Sequence, residues 1–377
     1  MRRARVRIRD SPDTRPGRRP ADSRCTRTHW RRLVSRSIPF RTLLLLVAAA
    51  AALAVATVAA AGSSAEPTAR ALPAGLPADV GDRFRIGSIT KSLVATVVLQ
   101  LGTEGRLRLG DSVERWLPGL VPDGRAITIR HLLEHTSGVE DYLNGPTGPS
   151  VLERYERNPS YRWAPQRLVR LAVAQPSPFR PGTRWSYSNT GYVLLGMIVE
   201  RASGRAYGEE IAAPLGLEST FVPAGGMIPG PHAHGYLLPG NVFRPTKRPL
   251  DVSRLDPSYA SSAGAAVSSA ADLDRFLRAL VEGRLLGPAQ LAKMRTVRTI
   301  PGDPSLGYGL GLLRLRTHCG VLWGHNGEIP GYMANAFVSA DGRRGFVTLE
   351  STSGVPLVKA QARGRVMLAA IEAAVCP

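Results

Sequence analysis

The sequence predicts an α+β fold, with an antiparallel sheet flanked by helices beside a separate all-helical part. Three patterns predict it. Apolar residues recur at helical spacing through the middle of the chain, the pattern becomes strand-like after residue 306, and one amphipathic helix closes the chain. The first helix begins near Ser88, where Ile89, Leu93, Val94, Val97, Val98 and Leu101 share helical spacing. Leu99 is apolar as well, so this helix belongs in the core; Gly105 ends it. Thr128 can N-cap a helix over residues 129–135, closed at Gly138. Another starts near Asn189 and carries Tyr192, Val193, Leu194, Leu195, Ile198 and Val199 to Gly204. Ser269 can cap a further helix to Gly283, and Gly287-Pro288 opens a short one. Then come the strand-like runs GYGLGLLRLRT, GVLWGHNG, YMANAFVSA and GFVTLEST, with Asp341-Gly342 as a hairpin turn between the last two. Pro356 opens the closing helix to Val375, and no segment repeats.

Charge and composition decide the setting. The chain has 377 residues and a formal net charge of +20, with 49 basic residues of which four are Lys. Residues 1–41 alone hold 14 Arg against 3 Asp. More than half of the excess therefore lies in a leader rather than on a folded face, which argues against a nucleic-acid partner. Residues 42–61 are uncharged for twenty positions, enough to span a bilayer, and follow Arg31, Arg32, Arg36 and Arg41. Ala59 and Ala61 suit signal-peptidase cleavage. The expected organisation is a disordered basic leader (1–41), a signal peptide or membrane anchor (42–61) and a Pro/Ala/Gly linker (62–80). A folded domain follows over 81–377, all-α over about 103–290, with the sheet part from 81–102 and 291–377. The expected location is extracellular or in the cell envelope. Cys25 falls in the leader, leaving Cys319 and Cys376 as an even pair in an oxidising compartment.

Three motifs carry chemistry. In Ser88-Ile89-Thr90-Lys91, positions i and i+3 share a helix face, so hydroxyl and amine can meet. A serine nucleophile needs a group that takes its proton, and a desolvated lysine is one. A helix N-terminus adds a field and amide donors that suit an oxyanion. No other Lys has Ser three residues before it. Second, Tyr187-Ser188-Asn189 stands in a loop just before an apolar helix, where a phenol can pass protons if neighbouring cations lower its pKa; Tyr142-Leu143-Asn144 matches Tyr-x-Asn but lacks that context. Third, Gly324-His325-Asn326-Gly327-Glu328 ends a strand run, where glycine lets a ligand approach the backbone. His232 and His234 lie two apart in a Pro/Gly loop without acidic or Cys ligands nearby in sequence, and no Gly-rich phosphate loop occurs, so neither metal nor cofactor is expected.

In this order the motifs resemble the penicillin-recognising serine hydrolases: D-alanyl-D-alanine carboxypeptidases, class C β-lactamases and related esterases. The likeness is strongest to the secreted Streptomyces-type carboxypeptidases. It rests on DRFRIGSITKS, ITIRHLLEHTSG, WSYSNTGYVLLG, SAGAAVSSAADL and GHNGEIPGY, and runs from about Asp82 to the C-terminus. The resemblance implies a β-lactamase/transpeptidase-like fold and a monomer. It assigns Ser88 as the acylated nucleophile, Lys91 and Tyr187 as the proton-handling pair with the base left open, and Asn189 as the holder of the substrate amide. His325 stands where β-lactamases have Lys, and would support Tyr187 and a substrate carboxylate. Backbone N–H groups of Ser88 and Glu328 would form the oxyanion hole, and Gly327 would border the substrate. Cys319 and Cys376 correspond to a disulfide.

The sequence departs from the family pattern in four places. Asn326 replaces a hydroxyl residue, and Tyr259 stands where Trp is expected. Leu313 falls where an Arg usually receives the carboxylate, with Arg314 the neighbouring candidate. Only 27 residues separate Ala61 from Ser88, and 62–80 shows no alternating β-branched run, so the sheet is expected to lack its N-terminal edge strands. The implied activity is D-Ala-D-Ala cleavage on peptidoglycan stem peptides, with β-lactam binding. A β-lactamase or esterase is the alternative, and a non-enzymatic penicillin-binding or wall-binding module a third reading.

Overall fold

Strand runs of β-branched and aromatic residues need cover on both faces, and the molecule supplies it with helices. The computed structural model describes residues 56–60, 68–71, 82–213, 216–239, 247–353 and 367–376. They lie in a unit spanning Arg41–Pro377. Among the described residues, eight strands form one sheet in the order β2 (Thr68–Ala71), β1 (Ala56–Ala60), β12 (Gly345–Glu350), β11 (Tyr332–Ser339), β10 (Gly320–Ile329), β9 (Leu313–Thr317), β8 (Asp303–Tyr308), β7 (Arg298–Ile300). Every pairing in it is antiparallel. β11 is buried at all its positions, as expected of a central strand covered on both faces. The β11–β12 hairpin turns at Asp341-Gly342, where Gly342 takes φ +74°, the left-handed conformation that makes Asp-Gly a turn signal.

One sheet face packs on α1 (Thr90–Thr103) and α8 (Ala270–Val281), with α6 (Asn189–Ser203) packed against α1. The other packs Leu313, Leu315, Leu322, Phe337 and Phe346 against Met367, Ile371 and Val375 of the closing helix, residues 367–375. Burying a side chain such as Phe346 contributes about 1.5–3 kcal/mol. Cys319, in the β9–β10 turn, is bonded to Cys376 just after that helix, with Cα atoms 5.5 Å apart. The closing helix is thereby tied to the end of β10 remote from its His-Asn-Gly segment.

Between α1 and α8 lies the helical part: α2 (Val113–Trp116), α3 (Ile129–Leu133), α4 (Gly148–Arg157), α5 (Pro165–Val173), α6 and α7 (Tyr207–Ala212). The predicted caps form. Thr128 accepts from the His131 N–H and Ser269 from that of Asp272, while Gly204 ends α6 in the left-handed conformation. α1 is buried from Thr90 through Leu99, and α6 from Asn189 through Val199; the two pack together as the centre of the molecule.

The expectation of missing edge strands is overturned. β1 pairs antiparallel with β12 through five residues, from Ala56 opposite Leu349 to Ala60 opposite Gly345, and β2 pairs with β1. β1 comes from the apolar run read as a signal peptide or anchor, and β2 from the stretch read as a linker. Length and hydrophobicity cannot separate a bilayer-length run from one that ends in a strand, and the alternation sought in 62–80 is not needed by a four-residue edge strand. The remainder of the 42–61 segment lies outside the described residues, as does the leader. No helix among the described residues is long and apolar enough to cross a membrane. A chain shortened to begin at Gly62 should expose the β12 edge and aggregate. It should also lose about 3–5 kcal/mol through five broken pairings. Thermal unfolding and size-exclusion chromatography of the two lengths check this.

Candidate active site

Ser88 is placed by backbone contact that only glycine permits. β3 (Phe84–Arg85), paired with β6 (Val267–Ser268), leads into a 3-10 turn at Gly87–Ile89 and then α1. Gly87 has φ +51°, and a Cβ there would stand 2.7 Å from the Glu328 amide nitrogen. A Cβ on Gly327 would stand 2.0 Å from the Ile86 carbonyl and 2.8 Å from the Ser88 nitrogen. The turn and β10 therefore touch main chain to main chain. That contact sets the Ser88 amide against the strand carrying the Glu328 amide, the two donors expected for an oxyanion.

Lys91 stands one turn on. Its Nζ lies 2.9 Å from Ser88 Oγ, 2.9 Å from Asn189 Oδ1 and 2.6 Å from the Ala263 carbonyl. Two of these partners can only accept. A neutral amine spends both its N–H bonds on them and turns its lone pair to the Ser88 hydroxyl. Burial favours that neutral form and lowers the pKa to about 7, although the Asp141 carboxylate pulls it up. The Tyr187 hydroxyl donates to Ser88 Oγ at 2.9 Å from the other side. Burial raises the Tyr187 phenol above its ordinary range, against the hydrogen bond to Ser88, so it stays protonated. An amine facing Ser88 Oγ and a protonated phenol on its other side suit Lys91 as proton acceptor and Tyr187 as proton donor. The pH dependence follows: acylation should fall about tenfold per pH unit below about 7 and level off above it. A pH profile of kcat/KM checks this; a profile flat through pH 5–7 would contradict it.

Asn189 is oriented from behind. Its Nδ2 donates to Asp141 Oδ2 at 3.0 Å, which leaves Oδ1 facing Lys91. Asp141 is buried and also accepts from the Leu143 N–H at 3.0 Å and from Asn144 Nδ2 at 2.7 Å. Burial raises its pKa, while those donors and Lys91 lower it. Of the second Tyr-x-Asn, Asn144 belongs to the support by holding Asp141, whereas the Tyr142 hydroxyl donates outside it, to the Tyr259 carbonyl at 2.6 Å.

Other expected residues take different places. His325 is buried on β10, but its Nδ1 bonds the Asn326 carbonyl at 2.5 Å and its Nε2 the Tyr308 hydroxyl at 3.2 Å. It makes no hydrogen bond to Tyr187, so the expected support runs elsewhere. Burial, with Lys91 nearby, lowers its pKa to about 3, leaving it uncharged at neutral pH. Arg314 stands on β9 between Trp323 of β10 and Gly307 of β8, with its guanidinium over Gly307 and Nη2 3.1 Å from where a Cβ would be. Sequence spacing alone could not show that placement. Tyr259 is buried beside the 261–263 turn that supplies the Ala263 carbonyl. Asn326 sits partly exposed, opposite Asn335. Sequence reasoning missed Asp141, Asn144, Ala263, His135 and Tyr308. The Glu140-Asp141 pair just after HTSG, in a chain poor in carboxylates, was the one available signal.

Comparison with known proteins agrees with this geometry. A family model described as Beta-lactamase matches residues 47–370. A D-stereospecific amidohydrolase from Streptomyces superposes with a TM-score of 0.76 at 36% identity, covering 89% of this chain and 98% of that one. A penicillin-binding protein of Bacillus subtilis is 29% identical over 294 residues, 73% of this chain and 62% of the relative. Esterase EstB of Burkholderia gladioli is 34% identical over 245 residues, 55% of this chain and 59% of the relative. The chain thus spans about three fifths of these two curated relatives. With the family match covering the described sheet and helices and a serine, lysine and tyrosine converging at their junction, the chain belongs to the β-lactamase family of serine hydrolases.

Proposed function

We propose that this protein hydrolyses amide bonds of D-configured amino-acid derivatives through an acyl-enzyme on Ser88. The observation that carries the proposal is the convergence of Lys91 Nζ and the Tyr187 hydroxyl on Ser88 Oγ, each at 2.9 Å. Lys91, as the free amine, takes the Ser88 proton while Oγ adds to the substrate carbonyl carbon. The oxyanion is received by the N–H groups of Ser88 and Glu328. The leaving nitrogen takes the Tyr187 proton as the C–N bond breaks, and the Lys91 ammonium returns that proton to the phenol. Water, losing a proton to Lys91, then adds to the ester, and Ser88 leaves as the hydroxyl by taking that proton from the Lys91 ammonium. Removing one oxyanion donor costs about 3–4 kcal/mol in such reactions.

Likeness to the Streptomyces D-stereospecific amidohydrolase over nearly the whole of that chain supports the substrate class. So does His325, one of the residues from which a C-terminal carboxylate would need a cation: it is uncharged. D-Ala-D-Ala carboxypeptidase activity is the second reading, favoured by the penicillin-binding relative; esterase and β-lactamase turnover would use the same acyl-enzyme. The test is turnover of D-phenylalanine amide, L-phenylalanine amide, a D-Ala-D-Ala peptide with a free carboxylate, a p-nitrophenyl ester and a penicillin by one preparation. The proposal expects the D-amide to exceed its L-isomer and the peptide by at least about tenfold, one decade of transition-state discrimination. Faster cleavage of the peptide would select the carboxypeptidase. Faster turnover of the p-nitrophenyl ester would select an esterase, and faster loss of the penicillin a β-lactamase.

We further propose that the protein works outside the cytosol as a monomer. The Cys319–Cys376 bond supports an oxidising compartment. Because β1 occupies Ala56–Ala60, processing that keeps the sheet whole would have to cut before Ala56.

A further inference from the structure

We propose that His135 is a positioning residue of the reaction: its carbonyl oxygen and its ring Nδ1 clamp the two backbone N–H groups that flank Tyr187, and so hold the phenol on Ser88. The Ser186 N–H donates to the His135 carbonyl at 2.9 Å, and the Ser188 N–H to His135 Nδ1 at 3.1 Å. The residue between them is Tyr187. Beyond them, the Gly182 N–H on the Thr136 carbonyl at 2.8 Å continues the same seam. The His135 ring also packs on the Tyr187 ring, with centroids 4.3 Å apart, and on Tyr308 and Tyr192 at 4.5 Å and 5.2 Å. Ser188 in turn caps α6, the helix that carries Asn189. One residue thus sets both Tyr187 and the start of the helix facing Lys91.

Two costs point to a role beyond filling space. His135 has φ +58°, a conformation that side chains adopt reluctantly. Its Nε2 is buried without a hydrogen-bond partner among the described residues. Strain of this kind persists where surrounding structure requires it, and gathers at functional sites. Burial, with Lys91 and His325 nearby, holds the ring well below the usual imidazole range, so Nδ1 keeps the lone pair that Ser188 needs.

The inference rests on Ser88 being acylated, and the experiment separates the two. Acylation by D-phenylalanine methyl ester is followed by acid quench and intact mass for four proteins: wild type, His135→Gly, His135→Asn and Tyr187→Phe, plus the double variant His135→Gly/Tyr187→Phe. Glycine accepts the positive φ and keeps the carbonyl that Ser186 uses but has no side-chain acceptor for Ser188; asparagine also tolerates the positive φ and carries Oδ1 at the branch point where histidine carries Nδ1. Both remove the ring. His135→Gly should slow acylation about 100-fold, the order expected for a misplaced catalytic group, and His135→Asn should recover to within about tenfold of wild type. Against Tyr187→Phe, His135→Gly should cost less than about threefold more, because its effect passes through the lost hydroxyl. Wild-type rates in His135→Gly, asparagine no better than glycine, or multiplying effects in the double variant would each overturn the clamp. Should His135→Gly not fold, His135→Asn decides: within about tenfold of wild type upholds it, and a 100-fold loss overturns it. A wild type that forms no adduct would instead fail the acyl-enzyme reading.

Discussion

Ser88→Ala should abolish covalent acylation and lower amide turnover by about 10⁶-fold, the loss typical when the nucleophile of a concerted unit is removed. The fold should survive. Ser88 is only half-buried, and its hydroxyl is bonded by Lys91 and Tyr187 rather than by the core. Without it, Lys91 still keeps Asn189 and Ala263 as partners. Intact mass after an acyl donor, with thermal unfolding beside it, checks both halves. A variant that melts normally and still becomes acylated would place the nucleophile elsewhere.

Lys91→Met should come next in size, slowing acylation by about 10⁴-fold, the upper range for loss of a positioned general base. The length of methionine leaves α1 and its packing in place, but Asn189 Oδ1 and the Ala263 carbonyl lose a donor, so stability should fall by about 1–3 kcal/mol beside the larger loss of rate. Tyr187→Phe should slow acylation by about 10²–10³-fold, since water can replace a proton donor more readily than a base. Both groups touch one oxygen, so the double variant should be far less impaired than the product of the single effects. Effects that multiply fully would mean that the two groups act in separate steps. Tyr142→Phe is the control: its hydroxyl bonds the Tyr259 carbonyl, so stability should fall by about 1–3 kcal/mol while acylation stays near wild type.

Much of this was legible because local rules and tertiary structure agree. Ser88 and Lys91 stand one helical turn apart, and the apolar run from Ile89 to Leu101 forces that turn into the core. Tyr187 was distinguished from Tyr142 by the apolar helix after it, and Ser188 caps that helix. Other features depend on partners distant in sequence. The alanine-rich strand Ala56–Ala60 is defined by β12, nearly 300 residues later. Asp141 becomes part of the site only because Asn189 folds onto it. The guanidinium of Arg314 rests over Gly307, which has no side chain to displace it. The charge of His325 was set by burial beside Lys91, which no spacing rule reports. The helix motif around His135 could be read as a helix end, but not as a clamp, because its second half is the loop before α6.

The central claim is that Ser88 Oγ forms the covalent intermediate under the control of Lys91. The most direct measurement mixes the wild-type protein with D-phenylalanine methyl ester, quenches in acid at short times, and locates the added mass by peptide mapping. One D-phenylalanyl adduct should appear, on the peptide containing Ser88, and it should form more slowly as pH falls below about 7. No adduct at any time, or an adduct on a peptide without Ser88, would contradict the claim.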